Sequence, residues 1–204
     1  MTEKKRKTSS KMKKKADQNS AKQLAFVVQK HKATSLHYDF RLEICGVMPS
    51  WSIPKGPTLD SSVKRLAMPT TDHPMEYRHF EGVIPSGEYG GGPVMIWDEG
   101  TYNAEQEVSK GLREEVFDRE LGDKLMQKGL EEGNLKFRLF GKKLQGSFAL
   151  VRTKGFGGSN RETWLMIKHR DDYSKEGYDA NDYDFSAVSN RSLAEIAKSS
   201  EDKA

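Results

Sequence analysis

The chain has 204 residues, with 34 Lys/Arg against 30 acids for a net charge of +4, and only 35% of its residues are hydrophobic. That length suits one ordinary domain with room for a core, and no apolar run approaches the roughly 20 residues that cross a bilayer. One cysteine, Cys45, excludes an internal disulfide and any multi-cysteine zinc site, and it predicts a reducing, cytoplasmic setting; with no apolar stretch behind the first lysines, no secretory signal is expected.

Residues 1–22 carry nine Lys/Arg and two acids. This basic arm lacks aromatic and β-branched side chains apart from two threonines, so it is expected to be disordered and to attract nucleic-acid phosphates. The alternative is a solvated, solubilising tail. From residue 23 the chain reads as short strands between Gly/Pro turns. Residues 24–29 are apolar and β-branched. Residues 36–43 alternate strictly, with Leu36, Tyr38, Phe40 and Leu42 on one face and His37, Asp39, Arg41 and Glu43 on the other, the mark of a strand with one buried face. Residues 47–53 form a partner strand interrupted by Pro49. Further strands are predicted at 65–68, 80–84, 94–97, 134–140, 146–152 and 163–168. The spacing of Leu112, Val116, Leu121 and Leu125 predicts a helix over 109–128, with Gly129 and Gly133 as stop signals. Residues 155–160 read as a loop, and 192–199 as a short terminal helix. From residue 171 the chain is acidic, with Tyr173, Tyr178, Tyr183 and Phe185 giving it some capacity to pack. Many short strands with glycine turns point to a mainly β barrel or sandwich.

The polar face of 36–43 carries the chemistry. His37, Asp39 and Arg41 stand roughly 7 Å apart at each step on one side of a strand, and exposed faces ordinarily carry Lys, Glu and Thr instead. Imidazole and carboxylate together suit Mn, Fe, Zn or Co, and arginine offers a planar fork for phosphate oxygens. His31, six residues before His37, returns to the same place across a short turn. His73, held in Asp72-His73-Pro74, is placed for a general acid or an oxyanion partner. Lys55, Lys64 and Arg65 either hold phosphate or are simply exposed. The glycine-rich run at 85–92 lacks the Gly-Lys-Ser/Thr ending of a Walker A loop.

The stretches 26–43 (FVVQKHKATSLHYDFRLE), 51–57 (WSIPKGP), 64–68 (KRLAM), 72–74 (DHP) and 80–90 (FEGVIPSGEYG) follow in that order. Over about residues 23–170 the chain resembles the 3′-phosphoesterase domain of bacterial and archaeal DNA ligase D, in a free-standing form, and 29–43 is the most specific block. The resemblance implies a domain at 23–170 between the basic arm and an acidic tail at 171–204. It implies a compact antiparallel β-barrel with a few flanking helices and a crescent-shaped groove. It further implies a Mn2+-dependent enzyme, with Co2+ or another divalent ion as substitute, that removes a 3′-terminal ribonucleoside and then the 3′-phosphate. By motif, His31, His37 and Asp39 would hold the metal. Arg41, His73 and Tyr77 would be catalytic, the first two on the scissile phosphate, and Gln29, Lys55 and Arg65 would bind substrate phosphates. The implied partners are DNA or RNA-tipped DNA 3′ ends, a separate ligase, a polymerase and Ku, in a prokaryotic cytoplasm near the nucleoid and away from membranes. Thr71 stands where the family often has an acid. Two other readings fit the same residues: a DNA-end-binding module without catalysis, and a non-haem Fe(II) oxygenase built on His37, Asp39 and His73.

Overall fold

The computed structural model describes residues 23–153 and 162–201; the basic arm and the loop expected at 155–160 lie outside the described residues. Among the described residues ten strands are formed: β1 (Leu24–Lys32), β2 (Leu36–Leu42), β3 (Val47–Ile53), β4 (Lys64–Pro74), β5 (Gly82–Ile84), β6 (Gly92–Ser109), β7 (Leu112–Val116), β8 (Asn134–Gly141), β9 (Gln145–Thr153) and β10 (Thr163–Lys168). Eight of them run antiparallel in the order β1-β2-β3-β4-β10-β9-β8-β6, and β6 pairs back onto β1 to close a barrel. Closure leaves no free edge in this cylinder. β5 and β7 add to the long strand β6.

Alternation decides what fills the barrel. Phe26, Val28, Tyr38, Phe40, Trp51, Trp97, Phe137, Phe148 and Trp164 point inward and are buried. Phe137 stacks between Phe40 and Phe148 at 5.8 and 6.3 Å between ring centroids. Each such side chain contributes about 1.5–3 kcal/mol by leaving water. β6 begins against the end of β1, where a Cβ on Gly92 would lie 2.1 Å from the Lys32 carbonyl oxygen, so only glycine fits there.

The helix expected over 109–128 is corrected. Lys110 and Gly111 instead form the turn of the β6–β7 hairpin, with Gly111 at φ +81°, and helix α1 covers Arg119–Glu132. Leu112 and Val116, four residues apart, satisfy a strand's period as well as a helix's. The start signal is Asp118, whose carboxylate accepts from the Leu121 N–H at 2.8 Å; the helix runs through Gly129 and stops at Gly133. β6 is also longer than the expected 94–97, because Glu105 in its outer half is buried against Arg138, Arg113 and Ser147 and so does not end the strand.

The segment from Asp171 packs across one end of the barrel. Tyr178, Ala180, Leu193 and Ile196 join the main core. Lys30 pairs with Asp184 at 3.0 Å, Tyr38 donates to Asn181 at 3.1 Å, and the Trp97 indole donates to the Tyr183 carbonyl at 2.9 Å. Helix α2 (Leu193–Glu201) starts from a capping box, Ser192 with Glu195, and rests on β5 and β6.

Candidate active site

The second face of β1, β2 and β3 points out of the barrel, and strand register sets its side chains in rows. Val27, Arg41 and Ser50 form one row; Gln29, Asp39 and Ser52 the next; His31 and His37 the last. Val27 of the first row clusters with Met48 and Ile96, with Met75 packed against them. β4 joins through a bulge. Met48 faces His73 and Ser50 faces Thr70, so Pro49 alone opposes Thr71 and Asp72. In an unbroken ladder Asp72 would stand opposite Met48; the extra residue turns His73 onto this face instead. The 3-10 turn Met75–His79 then folds Tyr77 over it.

These elements enclose a cavity of about 460 Å³ lined by His31, His37, Asp39, Arg41, His73 and Tyr77, with Thr70, Thr71, Tyr89 and Gly90 at its sides. His31, His37 and Asp39 each offer a ligand atom within 4.8 Å of the others. Their orientation is set from behind. His31 Nε2 lies 2.7 Å from the Gly90 carbonyl and His37 Nδ1 lies 3.0 Å from the Ser35 carbonyl. A carbonyl only accepts, so those nitrogens carry the protons. When neutral, His31 therefore turns the lone pair of Nδ1, and His37 that of Nε2, toward Asp39, at 3.9 and 3.5 Å. Two imidazoles fixed in this way with one carboxylate form a donor set that fits a first-row divalent ion. Burial raises the Asp39 pKa, but the adjacent His31 and His37 imidazoles and the Arg41 charge outweigh that and hold it well below the usual carboxylate range. The Asp39 carboxylate in turn raises His37, partly offset by burial.

Arg41 is 3% exposed and heavily committed. Its Nε donates to Gln29 at 2.8 Å, Nη1 to Ser50 at 2.7 Å and to His73 Nδ1 at 2.8 Å, and Nη2 to Asp39 at 3.1 Å. Of five guanidinium donors one on Nη2 is left, so the fork expected for phosphate is largely spent inside the protein. Arginine cannot accept, so His73 Nδ1 is the acceptor and the proton of the neutral ring sits on Nε2. Burial, followed by the Arg41 charge, lowers the His73 pKa. His73 is thus held in its neutral form near pH 7 and offers an N–H at Nε2. Tyr77 is sandwiched, with His73 at 4.8 Å, Phe80 at 5.4 Å and the Arg41 guanidinium 5.1 Å from its centroid.

The remaining expected residues divide. Gln29 is fully buried behind Arg41, where its amide N–H groups reach the Tyr77 and Phe80 carbonyls at 3.1 and 3.0 Å; it positions other groups and does not line the cavity. Lys55 is exposed and Arg65 sits in the β4–β10 pairing, and neither lines the cavity. The grouping needed for the oxygenase reading is not formed, because His31, and not His73, stands with His37 and Asp39. Sequence reasoning missed Ser50, which anchors Arg41, and the Ser35 and Gly90 carbonyls. For Ser50 a signal existed in strand parity; for backbone carbonyls none does.

Residues 29–152 match the family model described as the DNA Ligase D 3′-phosphoesterase domain. The chain is 43% identical over 148 residues to the multifunctional non-homologous end joining protein LigD of Pseudomonas aeruginosa, covering 72% of this chain and 15% of that protein. It is 43% identical over 130 residues to the multifunctional non-homologous end joining DNA repair protein LigD of Mycobacterium tuberculosis, covering 64% and 15% respectively. For the LigD protein of Mycolicibacterium smegmatis the identity is 38% over 146 residues, covering 72% and 17%. The chain thus aligns with only 15–17% of the length of these relatives.

Proposed function

The chain belongs to the DNA Ligase D 3′-phosphoesterase family, and from that premise we propose that it is a metal-dependent hydrolase that heals DNA 3′ ends. In the first step the oxygen of water bonds to phosphorus and the bond from phosphorus to the 5′-oxygen of a terminal ribonucleoside breaks, that oxygen taking up a proton and a 3′-phosphate remaining. In the second step water displaces the 3′-oxygen, giving inorganic phosphate and the 3′-OH that a ligase or polymerase requires. The observation that carries the reading is the pair of histidines fixed by the Gly90 and Ser35 carbonyls so that each turns a lone pair toward Asp39, in the same cavity as Arg41 and His73.

His31 Nδ1, His37 Nε2 and the Asp39 carboxylate would hold one divalent ion, Mn2+ in our proposal and Co2+ as a substitute. When bound, such an ion supplies Lewis acidity to a phosphate oxygen and lowers the pKa of coordinated water. Asp39, kept ionised, is ready to ligate over the whole physiological range. Arg41 supplies a fixed positive charge and its one remaining N–H to the equatorial phosphate oxygens, already organised before substrate arrives. His73 donates Nε2–H to a phosphate oxygen or the leaving oxygen. Tyr77 covers the guanidinium and excludes water from it. Contacts to phosphate fix register without reading sequence, so the enzyme responds to end structure and not to base sequence. DNA and RNA-tipped 3′ ends are the proposed substrates, with ligase, polymerase and Ku as partners in a prokaryotic cytoplasm close to the nucleoid. Among the described residues no helix is long and apolar enough to cross a membrane.

The test uses two labelled primer–templates, one ending in a single ribonucleotide and one in a 3′-phosphate, each with Mn2+ or with EDTA. Mn-dependent loss of the nucleoside and then the phosphate is the expected result. No reaction on either, with DNA binding retained in EDTA, would instead favour a non-catalytic end-binding module.

A further inference from the structure

Tyr89 stands out at the cavity. Its side chain is fully exposed, yet it lines the same cavity as His31, His37 and Asp39. A lone exposed aromatic is ordinary on a protein surface; what sets this one apart is how it is held. The backbone on either side is locked by two successive turns, with the Glu88 N–H on the Pro85 carbonyl at 3.2 Å and the Gly91 N–H on the Glu88 carbonyl at 3.0 Å. Next in the chain, Gly90 gives its carbonyl to His31. The held backbone thus carries the ring beside the proposed metal ligands, while neither of its faces meets another ring or cation among the described residues. Tyr77, the other aromatic of the cavity, differs in this respect, for His73, Phe80 and Arg41 occupy its faces. The Arg41 and His73 groups, which are polar, lie with Tyr77 on the β3–β4 side, and Tyr89 lies on the β5–β6 loop by His31.

We propose that Tyr89 is the stacking platform for the nucleobase of the 3′-terminal ribonucleoside that the first step removes, a positioning and specificity role that rests on the end-healing reading above. An open aromatic face next to a phosphate site suits a base of any sequence, since every base has a π-face. Once that nucleoside has left, the 3′-phosphate product presents no base at this position. Tyr89 therefore biases the enzyme toward the diester step and has no part in the monoester step.

The test compares wild type, Tyr89→Ala and Tyr89→Phe on three primer–templates: one with a 3′-terminal ribonucleotide, one with the same terminal ribose lacking its base, and one with a 3′-phosphate. Stacking of one base predicts that Tyr89→Ala lowers kcat/KM on the first by roughly ten- to hundredfold relative to the other two, and that Tyr89→Phe restores it. Equal losses on all three, or none on the first, overturns the assignment. Binding of a primer carrying 2-aminopurine at the 3′ end, read in EDTA, separates this proposal from the enzyme reading. Fluorescence quenching with wild type and Tyr89→Phe but not with Tyr89→Ala supports stacking even if wild type hydrolyses nothing, and quenching equal in all three overturns it.

Discussion

Replacing Gln29 by leucine tests whether Arg41 is organised from behind. The side chain is fully buried and makes three hydrogen bonds: it accepts from Arg41 Nε at 2.8 Å and donates to the Tyr77 and Phe80 carbonyls at 3.1 and 3.0 Å. Leucine keeps the volume, so the cavity penalty is small. The bond to the charged guanidinium is worth about 1.5–3 kcal/mol and each neutral bond about 0.5–1.5 kcal/mol. Together they predict a loss of about 2.5–6 kcal/mol, centred near 4. For a chain of this size each kcal/mol lowers Tm by about 2–4 °C, so the fall should be about 8–16 °C. Urea unfolding followed by tryptophan fluorescence measures the stability, and Trp51, Trp97 and Trp164 are all buried reporters. Phosphatase assays under conditions where the variant is folded should show a drop in kcat with little change in KM, because the guanidinium would be present but misaligned. A midpoint within about 0.5 kcal/mol of wild type, or a folded variant with full kcat, would refute the view that Gln29 holds Arg41 and the Tyr77 turn in place.

Three further outcomes are expected. His37→Ala and Asp39→Asn should abolish both steps and the binding of Mn2+ followed by electron paramagnetic resonance, and near-normal turnover in either would sink the ligand assignment. His169 is lowered to about 4, mainly by burial and then by Arg113, Lys168 and Lys136. Since its folded pKa lies below the free value of 6.5, the unfolded chain takes up a proton first, so the stability held above pH 6.5 is lost as pH falls toward 4. The loss should be about 2 kcal/mol after allowing for partial exposure, and His169→Gln should flatten unfolding curves across that window; an unchanged slope would contradict it. Deleting residues 1–22, which carry nine Lys/Arg, should weaken DNA binding and reduce the slope of log K against log salt while leaving Mn2+ binding intact, whereas an unaltered slope would mean the arm makes no phosphate contacts.

The alternation at 36–43 already says that His37, Asp39 and Arg41 share a face opposite Tyr38 and Phe40, because a strand's side chains alternate whatever surrounds them. The terminal helix and most of the barrel strands are legible for the same reason: their signals are periodicity and turn residues a few positions apart. The β6–β7 hairpin was obscured because Leu112 and Val116 fit two periods at once, and only the positive φ of Gly111 decides between them.

What made a donor set out of these residues came from far along the chain. Gly90 fixes His31 from 59 positions away, His73 meets Arg41 across 32, and the Tyr77 carbonyl meets Gln29 across 48. Even where the partner is near, as with Ser35 and His37, the acceptor is a backbone carbonyl, which every residue possesses and which leaves no mark in residue type. The sequence by itself determined which chemical groups the polar face would carry. Barrel closure, the bulge opposite Pro49 and the loop at Gly90 decided which proton each histidine keeps and how many donors Arg41 has left, since a hydrogen bond depends on distance and direction in space and the order of residues specifies neither.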